Sequence, residues 1–114
     1  MEATSNKVCS RLVLEWKDQR TTINTPGDGE ITLGKAAAND LQLTGNWVSN
    51  LHACITIDHG FFYIQDESTN GTFVQSEDEK VTVVHRNSLR LWGSGLISLG
   101  EPLSNESAIR FEYR

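Results

Sequence analysis

The chain has 114 residues, enough for one domain around a single hydrophobic core. Its apolar fraction of 38% and charged fraction of 22% describe a folded globular protein rather than a disordered one. The formal net charge is −5 with no run of lysine or arginine. Nucleic acid and anionic membrane are therefore poor partners, since both need a basic face. The two cysteines, Cys9 and Cys54, have no Cys-x-x-Cys spacing, so neither a disulfide framework nor a zinc site is expected. The stretch Met1 to Lys7 is polar, and residues 1–8 are expected to form a flexible segment ahead of a domain at 9–114. They contain no secretory apolar region, and no stretch is long and apolar enough to span a bilayer. The expected compartment is the cytoplasm, or the nucleus in a eukaryote.

Taken in order, the segments read as short strands and turns. Residues 11–16 and 20–23 are β-rich and flank the polar turn Lys17-Asp18-Gln19. Pro26-Gly27-Asp28-Gly29 is a turn. Residues 30–33 alternate polar and apolar, as a half-buried strand does. The run Lys35 to Asp40 contains three alanines, but it is too short to nucleate a helix and reads as a loop. Leu41-Gln42-Leu43 alternates again. Residues 52–57 and 61–64 form a hairpin across Asp58-His59-Gly60. Strands are also expected at 72–74, 81–84, 89–91, 96–99 and 108–113, with a charged loop at 76–80 and a turn at Gly93-Ser94-Gly95. Turns recurring every eight to twelve residues or so, with no lasting helical period, predict an all-β sandwich or barrel. Trp16, Phe62, Ile64, Phe73, Leu91 and Phe111 are expected in the core, and Cys54 as a small buried hydrophobe.

Three clusters stand out together. They are Leu33-Gly34-Lys35 with Asn39-Asp40-Leu41; Val48-Ser49-Asn50-Leu51-His52; and Asp66 to Val74, which contains Ser68-Thr69-Asn70-Gly71-Thr72. In this order and spacing they resemble the forkhead-associated (FHA) domain family, whose pattern is Gly-Arg, Asn-Asp, Ser-x-x-His and Ser-x-Asn-Gly-Thr. Residues 91–100 resemble the family's C-terminal hairpin, with one extra residue and with Ser94 where Asp is common. The resemblance implies a β-sandwich of about eleven strands that binds phosphothreonine peptides with loops at one apex. It implies a signalling module that recruits a phosphorylated protein partner. A Ser/Thr kinase would act upstream, the host would be a larger signalling protein, and no cofactor is needed.

Carried over by position, Ser49 donates its hydroxyl to phosphate, Lys35 contacts phosphate or a peptide carbonyl, and Asn70 hydrogen-bonds the peptide main chain. Thr69 adds a hydroxyl near the phosphate, and Asn50 stands where the family often has a basic residue. Gly34, His52, Gly71 and Thr72 shape the loops. The chemistry is sound in itself. Phosphothreonine carries about −1.5 to −2 charge, and donors fixed on turns over a rigid sheet suit it. Lysine at 35 keeps a charge but lacks the planar fork of arginine. With asparagine at 50, the alternative is a degenerate FHA-like scaffold making phosphate-independent protein contacts.

Other readings of these residues are weaker. Ser49 and His52 lack a Gly-x-Ser-x-Gly elbow and an evident acid to orient the imidazole, so an enzyme is not expected. His52, Cys54, His59 and His85 do not complete a metal set. Trp47 has two places open to it, against the peptide or folded over the sandwich end as core, and the second is preferred.

Overall fold

The computed structural model describes residues 10–25, 29–104 and 108–113. The flexible segment expected at 1–8, Cys9 and most of the 26–29 turn lie outside these. Among the described residues there is no helix, hence none long and apolar enough to cross a membrane.

Eleven strands among the described residues form two sheets. They are β1 (Ser10–Trp16), β2 (Gln19–Thr25), β3 (Glu30–Gly34), β4 (Leu41–Gln42), β5 (Ala53–Asp58) and β6 (Phe61–Asp66), followed by β7 (Thr72–Gln75), β8 (Val81–Val84), β9 (Ser88–Leu91), β10 (Ser94–Leu99) and β11 (Ile109–Tyr113). One sheet has the order β2-β1-β11-β10-β7-β8, the other β4-β3-β5-β6-β9. All pairs are antiparallel except β3 with β4. The core between the sheets follows from strand alternation. Leu12 and Leu14 on β1, Ile31 and Leu33 on β3, Ile55 on β5, Phe62 and Ile64 on β6, and Ile97 on β10 are all buried. Each such side chain contributes about 1.5–3 kcal/mol by leaving water. The hairpin at 58–61 closes through His59 at φ 53° and Gly60 at φ 83°, two successive left-handed residues whose twist matches that of the strands.

Three expectations need correction. Phe73 is half-buried and faces outward beside Val83, because Thr72 and Val74 take the inward positions of β7. Cys54 is likewise only half-buried, since Ala53 and Ile55 hold the inward positions of β5. The expected 93–95 turn contains only Gly93. Ser94 and Gly95 already belong to β10, where Gly95 lies so close to the Gln75 carbonyl and the Phe111 ring that a side chain would overlap both.

The pairing directions place the functional end of the molecule. Antiparallel β5, β6 and β7 bring the 43–52 and 67–71 connections to the same end as the 35–40 loop. The β8–β9 turn at 85–87 and the residues that follow β10 from Gly100 arrive there too, because β8 and β10 both run antiparallel to β7.

Candidate functional site

The apex is assembled from the backbone outward. The Lys35 N–H donates to the Ser49 carbonyl at 2.9 Å, and the Ala36 N–H to the Asn50 carbonyl at 3.2 Å, so the first two loops are joined main chain to main chain. This approach requires glycine at 34, where any Cβ would overlap the Asn50 carbonyl. Asn39 secures the same junction, donating from Nδ2 to the carbonyls of Ala36 (2.8 Å) and Asn50 (2.6 Å). Asp40 accepts from the Thr32 N–H at 2.8 Å and closes the loop onto β3.

His52 joins the second loop to the third. It is fully buried. Its Nδ1 accepts the Ser49 N–H at 3.0 Å, which leaves the ring proton on Nε2 to donate to the Gly71 carbonyl at 2.8 Å. Burial lowers the His52 pKa, outweighing the raising effects of the Gly71 carbonyl and the Asp66 charge. The Asp66 carboxylate lies 3.9 Å from Nε2. An acid does therefore stand near the imidazole, brought there by the Ala53–Asp66 pairing of β5 and β6. It makes no hydrogen bond to the ring, whose two nitrogens are both engaged by backbone.

Asp66 is the centre of the third loop and is also buried. One oxygen accepts the hydroxyls of Thr72 (2.6 Å) and Ser68 (2.7 Å). The other accepts the N–H groups of Ser68 (3.2 Å) and Arg86 (2.8 Å). The Ser68 hydroxyl receives the Gly71 N–H at 2.7 Å. Burial alone would raise the Asp66 pKa, but the hydrogen bonds from Thr72, Ser68 and Arg86 together outweigh it and hold it below the usual carboxylate value. Thr72 is completely buried, and Gly71 has φ 91°.

The side chains expected to meet a ligand stand on this frame. Lys35, Asn50, Thr69 and Asn70 are exposed and Ser49 is half-buried. The Ser49 hydroxyl accepts the Thr69 N–H at 3.3 Å, and Asn70 Nδ2 donates to the Trp47 carbonyl at 3.2 Å. The three loops thus bring Lys35, Ser49, Asn50, Thr69 and Asn70 together at one apex. Trp47 does not fold over the core as preferred above: its side chain is 54% exposed. The fold uses its backbone instead, since the Trp47 carbonyl sits where a side chain at Gly100 would be.

Sequence reasoning assigned no role to Asn39, Asp66, Ser68 or Arg86. The Asp-x-Ser spacing at 66–68 is an Asx-turn signal that could have marked the first two of the third loop. Nothing in the sequence marks Arg86, which reaches this loop only through the β8–β9 turn.

Acid should weaken this frame, through both His52 and Asp66. The unfolded His52 binds a proton near 6.5, while the folded ring resists it. The unfolded chain therefore holds more protons below that value, and stability falls as pH drops from about 6.5 towards the lowered folded pKa. Asp66 adds stability that is fully present above the ordinary value of 3.8 and lost as pH falls through its lower folded pKa. Thermal unfolding of the protein between pH 8 and 4 should show a midpoint that declines below about 6.5. In His52→Asn the decline above pH 5 should flatten.

An all-β sandwich with loops clustered at one apex is a rigid scaffold of the kind on which binding residues are often carried. The sequence pattern of the FHA domain family matches residues 31–100, and the chain belongs to that family, one of interaction modules. The first FHA domain of Mycobacterium tuberculosis Rv1747 is similar, with a TM-score of 0.72 at 16% identity, over 93% of this chain and 98% of that one. The N-terminal FHA domain of Saccharomyces cerevisiae Rad53, solved with a phosphothreonine peptide, has a TM-score of 0.62 at 18% identity, over 93% and 92%. An FHA domain of an Arabidopsis thaliana hypothetical protein gives 0.62 at 23%, over 93% and 84%. No curated protein sequence matches this chain.

Proposed function

We propose that this domain binds phosphothreonine peptides at the apex built from Lys35, Ser49, Asn50, Thr69 and Asn70, and so recruits a partner phosphorylated by a Ser/Thr kinase. The observation that carries the reading is the joining of three loops through Gly34, His52 and Gly71, which gathers a hydroxyl, a carboxamide and an amine at exposed or half-buried positions. Those groups are all donors to phosphate oxygens or peptide carbonyls. Each hydrogen bond to a dianion contributes about 1.5–3 kcal/mol, so two or three support a reversible signalling contact. The Rad53 domain in its phosphothreonine complex lends the same reading from a related fold. We place the host among larger signalling proteins and its compartment in the cytoplasm or nucleus.

A phosphate-independent scaffold is the second reading. It is favoured by lysine rather than arginine at 35, and by the commitment of Asn70 Nδ2 to Trp47. Titration with one threonine peptide in phosphorylated and unphosphorylated forms separates the two. Binding of the phosphopeptide alone supports phosphate reading, and equal affinity for both forms supports the scaffold. Phosphopeptide affinity should also fall as salt rises from 50 to 500 mM, because the screening length around an exposed ion contact shrinks from about 14 Å to about 4 Å over that range.

A further inference from the structure

Among the described residues, β2, β4, β8 and β9 end the two sheets. Three of these edges are short or polar. β4 has two residues, β2 exposes Arg20, Thr22 and Asn24, and β9 exposes Ser88 and Arg90. β8, of sequence Val-Thr-Val-Val, instead exposes Val81 (47%) and Val83 (56%). Half-buried Phe73 lies beside Val83, and half-buried Leu96 lies in the row of Val81, so the apolar surface runs on across the sheet. The strand has none of the charges or prolines that commonly keep an open edge from pairing.

The ladder fixes which backbone groups face outward. The Ser76 N–H donates to the Lys80 carbonyl at 3.0 Å, and Thr82 and Val84 stand opposite Val74 and Thr72. Antiparallel alternation then turns the N–H and C=O of Thr82 and Val84 towards β7, and those of Val81 and Val83 towards the open edge. The flanks differ in charge. Glu77, Asp78, Glu79 and Lys80 precede the strand, a net acidic group, while His85 and Arg86 follow it. Asp78, Glu79, His85 and Arg86 are exposed, and none makes an ion pair among the described residues. A strand of this kind complements an antiparallel copy of itself. Placing Val81 opposite Val83 of a second copy uses all the outward backbone groups of both valines. The same register sets Glu79 opposite His85, and Asp78 opposite Arg86, of the second copy. A parallel copy would set acid beside acid.

We infer that β8 is a homodimer interface, at which two copies of this chain pair antiparallel about a two-fold axis through Thr82 and join their six-stranded sheets into one. The inference is independent of what the apex binds. β8 runs towards the apex, so its antiparallel pairing directs the two apices to opposite ends and leaves both open. The contact is short, so the dimer is a weak one that forms as concentration rises.

Sedimentation equilibrium of the full chain tests this. The mass should rise from that of a monomer towards twice that value between about 10 μM and 1 mM. Val83→Pro removes an N–H that faces the open edge and none that bonds β7, so the variant should stay folded and monomeric throughout. Val83→Lys should do the same, and serves if the proline variant fails to fold. Glu79→Lys should raise the dissociation constant about threefold or more, because the change acts twice across the axis. Thr82→Cys, with Cys9 and Cys54 replaced by serine, tests the register. The two new thiols would sit on Cα atoms about 4.5 Å apart, within disulfide reach, and air oxidation should yield a covalent dimer. A chain that remains monomeric at 1 mM would overturn self-pairing and leave the edge to a strand of another protein. Full dimerisation of both Val83 variants would overturn the role of β8. A dimer that Glu79→Lys leaves unchanged, or that Thr82→Cys does not cross-link, would overturn the charge-matched register.

Discussion

Ser49→Ala and Asn70→Ala should each weaken phosphothreonine-peptide binding by about tenfold or more, while leaving the melting temperature nearly unchanged. A hydrogen bond to a charged group contributes about 1.5–3 kcal/mol, and about 1.4 kcal/mol is a factor of ten. The stability cost is small because neither side chain is part of the core. Asn70 is exposed, and Ser49 gives up one long acceptor contact from Thr69 at 3.3 Å. The two variants should differ in kind. Ser49→Ala should erase most of the gap between phosphorylated and unphosphorylated peptide, since its hydroxyl is assigned to phosphate. Asn70→Ala should lower the affinity for both forms, since its amide is assigned to the peptide main chain. Lys35→Arg should tighten phosphopeptide binding by adding the planar fork. Isothermal titration of the three variants checks this, and full affinity in both alanine variants would contradict the assignment of the site.

Asp66→Ala should destabilise the domain by more than about 3 kcal/mol, the largest effect expected of any single polar change here. The carboxylate is buried and accepts from the Thr72 and Ser68 hydroxyls and from the N–H groups of Ser68 and Arg86. Alanine leaves those donors without a partner, and each unsatisfied buried group costs about 1–3 kcal/mol. Asp66→Asn should cost less. Its carbonyl can retain the two N–H donors, while its amide donates to hydroxyls that rotate to accept. Urea unfolding monitored by tryptophan fluorescence measures both. An alanine variant as stable as the parent would mean that the loop is held by something other than Asp66. Because Asp66 also positions Arg86 and the 68–71 loop, the asparagine variant should bind phosphopeptide more weakly even where it is fully folded.

Much of this architecture was legible in the residues themselves. Alternation of apolar and polar residues marked the strand at 30–33, and the β-rich runs at 52–57 and 61–64 on either side of Asp58-His59-Gly60 marked the hairpin, because strand burial and turn chemistry are local properties. The Gly-Lys, Ser-x-x-His and Asn-Gly-Thr clusters pointed to the apex for a similar reason: close backbone approach at 34 and positive φ at 71 require particular residue types. Which face each residue takes was less accessible. Phe73 and Cys54 point outward because one register step along a strand reverses the face, and register is decided by the partner strand rather than by the residue's own hydrophobicity. Asp66 beside His52, the exposed ring of Trp47, and Arg86 against Ser68 were settled only by tertiary structure.

The sequence by itself determined a β-sandwich and the residue types a phosphate-reading apex would use. The tertiary structure decided what supports them: a buried imidazole bonded to two loop backbones, a buried carboxylate satisfied by four donors, and a second cation delivered from a distant turn. The physical reason is that the contacts joining one loop to another link residues far apart in the chain, 19 apart for His52 and Gly71 and 20 apart for Arg86 and Asp66. Only the closing of the sheets brings them within about 3 Å, the distance at which burial turns each contact from optional to obligatory.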